Sequence, residues 1–186
     1  GDPTEGALLV SAHKAGLHEE ELAMASPRID TIPFESEYQY MATLRINPED
    51  QSKKASIKGS VEALLGRSTQ AIDIHGNVVP IDKTLIEEIT EKMSQEGLRV
   101  LAFAQKELPD GVLRLEHKDI ADGLTFLGIQ GMLDPPRPEA INAVRVSQSA
   151  GILVKMITGD HPLTAEAIAK QVGIAQAGSV MTGTQL

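Results

Sequence analysis

The sequence contains no cysteine and no tryptophan, and aromatic residues make up only 3% of it. Without cysteine there can be neither a disulfide nor a thiolate metal site, which fits a reducing compartment. No apolar run approaches the roughly 20 residues that a membrane helix needs. Basic residues never cluster beyond Lys53-Lys54, and the formal charge is −9, so the average surface repels nucleic-acid phosphate and acidic lipid. Neither nucleic acid nor direct membrane contact is expected of this segment. His13, His18, His75, His117 and His161 show no metal-ligand spacing, and no metal site is expected from them. The opening Gly1-Asp2-Pro3-Thr4 resembles neither a signal peptide nor an initiation site and reads as the start of an excised fragment.

What is present is enough for one substantial core, or a core plus a smaller piece: 186 residues, 41% of them hydrophobic. Asp2, Pro3 and Glu5 suit the N-cap, first-turn and N3 positions of a helix running from about Pro3 to Ala15 and stopping at Gly16. A short helix is expected over Glu19 to Ala25. After Pro27 the texture changes. Ile29 to Phe34, Met41 to Ile46 and Ala55 to Lys58 read as short strands with short connections, which favours antiparallel pairing.

Ser60 caps a short helix, and Ala71 to Ile74 with Val78 to Ile81 form a hairpin around Gly76-Asn77. Asp82 opens an amphipathic helix with Leu85, Ile86, Ile89 and Met93 on one face and Gly97 as terminator. Strands resume over Leu98 to Gln105 and Leu124 to Met132, separated by a polar loop from Asp110 to Asp122. The prolines of Asp134-Pro135-Pro136-Arg137-Pro138 cannot continue a ladder, and a domain boundary is placed there. Beyond it comes helix (Glu139 to Ala150), strand (Leu153 to Ile157) and helix (Thr164 to Val172), the rhythm of a βαβ unit, with too few residues for a complete doubly wound sheet.

Met156-Ile157-Thr158-Gly159-Asp160 is the segment most suggestive of chemistry. At the carboxyl end of a buried parallel strand it would offer a hydroxyl donor, a close backbone approach and a magnesium-compatible carboxylate. Equally, Gly159 could simply make a turn and Asp160 cap the next helix.

In this setting the chain resembles the cytoplasmic part of P-type, cation-transporting ATPases. The resemblance covers nearly the whole chain. It rests on Gly1-Asp2-Pro3-Thr4-Glu5-Gly6-Ala7-Leu8, Pro33-Phe34-Glu35-Ser36-Glu37 leading to Met41, and Lys58-Gly59-Ser60-Val61-Glu62. It continues through Leu98-Arg99-Val100-Leu101-Ala102, Met132-Leu133-Asp134-Pro135-Pro136-Arg137 and the Thr-Gly-Asp block. It implies an α+β nucleotide-binding domain, a twisted antiparallel sheet flanked by helices, over residues 1–133. Residues 134–186 would be the start of the second half of a phosphorylation domain, a truncated, haloacid-dehalogenase-like α/β segment.

The resemblance further implies that Glu5 faces the adenine amino group, Phe34 stacks on the ring and Met41 packs beside it. Lys58 and Gly59 would floor the pocket and Arg99 would reach the phosphates. Asp134 and Arg137 would also bind the nucleotide, and in the intact parent ATP would be delivered across the Asp134 hinge to an aspartate outside this chain. Thr158 and Asp160 would then stabilise the phosphoryl group and its Mg2+. The remaining domains of the same pump are the implied partners, at the cytoplasmic face of the membrane.

Without the family, plainer roles stand beside these. Glu5 would be a capping-box partner of Asp2, Phe34 and Met41 core residues, Lys58 a solvated charge, and Arg99 a surface partner of Glu96. The chain also departs from the family pattern. Ser36 stands where many relatives are basic, Gln39 where some have lysine, Ser60-Val61 replaces the usual Ala-Pro, and His161 replaces the Asn of calcium pumps. The Asp-Lys-Thr-Gly-Thr and Gly-Asp-Gly-x-Asn-Asp motifs do not occur in it, so it is expected to bind nucleotide without hydrolysing it. Two other classes compete: the cap and partial core of a soluble phosphohydrolase, and a non-catalytic interaction domain with an acidic docking surface.

Overall fold

Alternation of apolar and polar residues decides which face of each strand is buried. In the computed structural model, which describes residues 3–133, 135–160, 162–174 and 181, Tyr40, Ala42 and Leu44 of one strand are buried. So are Ala55 and Ile57 of the next and Ala102 and Ala104 of a third. Their period-2 spacing puts them on one face of a pleated sheet.

The elements run α1 (Pro3–Lys14), α2 (Glu19–Ala25), β1 (Arg28–Glu35), β2 (Tyr40–Ile46), β3 (Lys53–Gly59) and α3 (Val61–Arg67). They continue with β4 (Ser68–Ile72), β5 (Val78–Pro80), α4 (Lys83–Gln95), β6 (Arg99–Leu108), a 3-10 turn at His117–Ile120 and β7 (Leu124–Met132). The last are α5 (Pro138–Ser149) and α6 (Pro162–Val172). One seven-stranded sheet has the order β1-β2-β3-β6-β7-β4-β5. Pairing is antiparallel for β1–β2, β2–β3, β3–β6 and β4–β5, but β4 lies parallel to β7. The sheet is therefore mixed, which corrects the expectation of a purely antiparallel one. A helix, α3, leads directly into β4, and the returning chain reaches β7 only after β5, α4 and β6.

Local chemistry explains most boundaries. Ser60 is extended (φ −64°, ψ 151°) and its hydroxyl accepts from Ala63 N at 3.1 Å, which starts α3. Asp73 Oδ1 accepts from the amides of His75 and Asn77, both at 2.8 Å, and Gly76 takes a φ of +83°, which closes the β4–β5 hairpin. Gly97, at φ +82°, ends α4.

The chain divides into two compact units, residues 1–83 with 101–130, and residues 84–100 with 131–186. The first contains most of the sheet and the core built on Leu44, Leu64, Ile120 and Leu124, each essentially inaccessible. In the second, α5 packs against α6, and α6 buries Thr164, Ala165, Ala169 and Val172. The Thr164 hydroxyl donates to Leu98 O at 3.1 Å.

The strand expected at Leu153 to Ile157 is absent: residues 152–158 carry no regular secondary structure. Leu153 is 81% and Ile157 98% exposed, and an apolar run with no neighbouring strand to receive its backbone has no ladder to join. The βαβ rhythm is thus reduced to its two helices. In α4, Leu85 and Ile89 stay exposed while Ile86 and Met93 are half-buried. Among the described residues no helix is long and apolar enough to cross a membrane.

Candidate functional site

Strand register brings the predicted residues of the first unit into one row. Met41 of β2 pairs with Lys58 of β3, and Lys58 pairs in turn with Phe103 of β6. Directly opposed residues share a face, so these three side chains lie together on the face opposite Tyr40 and Ala42. On the other side of Met41 the β1–β2 ladder is irregular. Ile32 pairs with Ala42 and Glu35 with Tyr40, leaving both Pro33 and Phe34 opposite the single residue Met41. That is a β-bulge, a device that re-aims a side chain at a sheet edge. Phe34 is 61% exposed rather than buried in the core, while Met41, Lys58 and Phe103 are half-buried. Phe103 was not singled out in the sequence, where Leu98 to Gln105 reads simply as an apolar strand; its relation to Lys58 exists only through the β3–β6 register.

Lys58 is not a solvated charge. Its ammonium donates to both carboxylate oxygens of Glu5, 53 positions earlier. The ammonium-bearing side chain is 20% exposed and that of Glu5 52%. The carboxylate expected to cap α1 reaches the sheet; its suggested capping partner Asp2 lies outside the described residues.

Gly59 is buried and faces the core side with Tyr40. A Cβ added there would lie 2.7 Å from Tyr40 Cβ and would also collide with the backbone oxygen of Gln39. Gln39 itself has a φ of +58°, and its carbonyl accepts from Ser60 N at 2.9 Å. The Lys58-Gly59-Ser60 segment is thus pressed against the turn that follows Phe34, and only a residue without a side chain fits at its centre.

In the second unit, Thr158 and Asp160 do come together. The Thr158 hydroxyl donates to Asp160 Oδ2 at 2.7 Å and accepts from Asp160 N at 3.1 Å. Arg99 Nε lies 3.9 Å from Asp160 Oδ1, a carboxylate not considered as its partner from sequence. Arg137 is exposed at the N-cap of α5, where its carbonyl accepts from Ala140 N at 3.0 Å and Ile141 N at 3.2 Å. Asp134 lies outside the described residues. Among the described residues no cluster of three or more His, Asp or Glu side chains is arranged to hold a metal. Asp160 alone offers one carboxylate against the six oxygens that Mg2+ requires.

An exposed aromatic ring at a bulge, a thioether, a paired ammonium and a second ring, aligned across four strands of an α+β domain, form a one-sided platform suited to a flat ligand. Residues 1–139 match the family described as "P-type ATPase, cytoplasmic domain N". The chain belongs to the P-type cation-transporting ATPases. It is 56% identical over 178 residues, 96% of this chain, to cation-transporting ATPase pma1 of Synechocystis. Identity is 45% over the whole chain to probable cation-transporting ATPase F of Mycobacterium tuberculosis, and 38% over the whole chain to calcium-transporting ATPase 1 of Bacillus cereus. It spans about a fifth of the length of these relatives, 19% of the first and 21% of the other two.

Proposed function

We propose that this chain is the ATP-binding module of a P-type cation pump, residues 1–133 acting as its nucleotide-binding domain and residues 134–186 as part of its phosphorylation domain. It presents the γ-phosphate of ATP to a catalytic aspartate outside this chain, at the cytoplasmic face of the membrane, and the transported species is a cation. The observation that carries the reading is the cross-strand row of Phe34, Met41, Lys58 and Phe103, with Glu5 bound to Lys58.

Each member has a physical task. The exposed face of Phe34 stacks on adenine, an interaction of about 1–3 kcal/mol per base in nucleic-acid binders. Met41 adapts its shape beside the ring, and Phe103 extends the apolar floor. Glu5 accepts from the exocyclic amino group of adenine, while Lys58, bound to Glu5, floors the pocket with Gly59. Arg99 serves the phosphates, and Thr158 and Asp160 serve the phosphoryl group and its Mg2+. That ion would be held mainly by the phosphates and by carboxylates supplied by the rest of the pump, because Asp160 provides a single ligand. Asp134 and Arg137 complete the set of nucleotide-contacting residues.

An amide-resolved titration of the 186-residue chain with ATP tests this. Shifts concentrated at Glu5, Phe34, Met41, Lys58 and Gly59, with no phosphate released in the presence of Mg2+, are expected. Shifts confined to other residues, or phosphatase turnover by the chain alone, would refute the reading.

A further inference from the structure

Behind the platform, on the buried face of the same strands, lies a cluster that the nucleotide reading does not use. Tyr40 Oη and His117 Nδ1 are hydrogen-bonded at 2.6 Å, and Tyr40 is only 2% exposed. The His117 ring is stacked on Tyr38, with centroids 4.0 Å apart and 26° between planes. Arg67 of α3 places its guanidinium carbon 4.9 Å from the Tyr40 ring centroid. His117 belongs to the connection 109–123, which is also tied to β1 because Leu115 N donates to Asp30 Oδ2 at 2.8 Å. It is anchored below by the buried Leu115 and Ile120.

Tyr38 and Tyr40 bracket the turn residue Gln39, Tyr40 abuts Gly59, and Met41 follows Tyr40. One imidazole therefore holds the turn that carries Phe34 on one side and Met41 on the other. We infer that His117 is a positioning residue for the nucleotide platform, and that its protonation weakens ATP binding by disturbing the Tyr38-Gln39-Tyr40 turn. This rests on the nucleotide-binding reading of the opposite face.

The chemistry gives the direction. With Nδ1 unprotonated, the Tyr40 hydroxyl donates to it. In the imidazolium both ring nitrogens are donors, so the hydroxyl must accept, and the proton of the buried Tyr40 hydroxyl loses its acceptor. The charged groups around the pair are Arg67 on α3, Glu35 on β1, and Glu116, Lys118 and Asp119 flanking His117 on its own turn.

ATP affinity of the 186-residue chain, measured by calorimetry at pH 7.5 and pH 5.5 on wild type, Tyr40→Phe and His117→Gln, tests this. Wild type should lose roughly three- to tenfold more affinity on acidification than either variant. Subtracting the variants removes the contribution of ATP's own protonation. His117→Gln keeps a neutral acceptor for the hydroxyl, so at pH 7.5 it should bind within about twofold of wild type, whereas His117→Ala should bind more weakly. Saturable binding with the same pH dependence in all three proteins would overturn the inference and leave the nucleotide reading intact. Absence of saturable ATP binding by wild type at pH 7.5 would overturn both.

Discussion

Lys58 on β3 grips both carboxylate oxygens of Glu5 on α1, and this pair ties a helix that has no fully buried residue to the sheet. A second tether, Gln130 Nε2 to Ser11 Oγ at 3.4 Å, is weak. Because Glu5 is more than a third exposed, solvent screening limits the pair to less than about 1 kcal/mol of stability. Lys58→Ala should therefore leave global stability nearly unchanged while raising hydrogen exchange in α1. Unaltered α1 protection in the variant would show that the helix is held by something else.

Gly59→Ala should be far more damaging than its size suggests. The new methyl group meets Tyr40 Cβ at 2.7 Å and main-chain atoms of the same turn, none of which can move without breaking the β2–β3 ladder. Overpacking of this kind costs about 1–3 kcal/mol, readable as a lowered denaturant midpoint with unchanged m-value. A variant as stable as wild type would mean that the turn yields.

Phe34→Ala separates binding from folding. The ring is 61% exposed, so unfolding free energy should change by less than about 0.5 kcal/mol. ATP affinity should fall between about fivefold and roughly 150-fold. Equal affinity by calorimetry would remove the ring from the site.

Acid should loosen the connection 109–123 only below the ordinary carboxylate range. The amide of Leu115, followed by that of Thr31, holds the Asp30 carboxyl below its ordinary value of 3.8. A depressed folded-state pKa contributes stability that is present above the unfolded value and lost as pH falls through the folded one. Asp30→Asn should accordingly flatten the decline in stability as pH falls below about 4 and raise exchange at the Leu115 amide. An acid limb identical to wild type would show that Asp30 does not contribute.

Periodic patterns and turn chemistry made most elements legible in advance. α2 and β7 match their expected spans, and Ser60, Gly76 and Gly97 act where short-range rules place them. What stayed hidden depends on pairing between distant segments. Nothing local announces that β4 runs parallel to β7, that Phe103 stands opposite Lys58, or that Glu5 reaches across to β3. The strand expected at Leu153 to Ile157 failed for the same reason. Its apolar run was read correctly, but strand formation needs a neighbour. Of the candidate site, the family resemblance supplied the residues as expectations; the bulge that sets Pro33 and Phe34 against Met41 came only from the register.

The order β1-β2-β3-β6 has a kinetic corollary. The meander β1-β2-β3 can zip locally as soon as its two turns close. The Lys53–Leu108 to Gly59–Ala102 ladder must wait until α3, the β4–β5 hairpin and α4 have all been threaded past. Closing so long a loop costs entropy before any contact repays it. During synthesis the first three strands would stand for some time with the outer edge of β3 unsatisfied, and docking of β6 would be the late event that completes the platform.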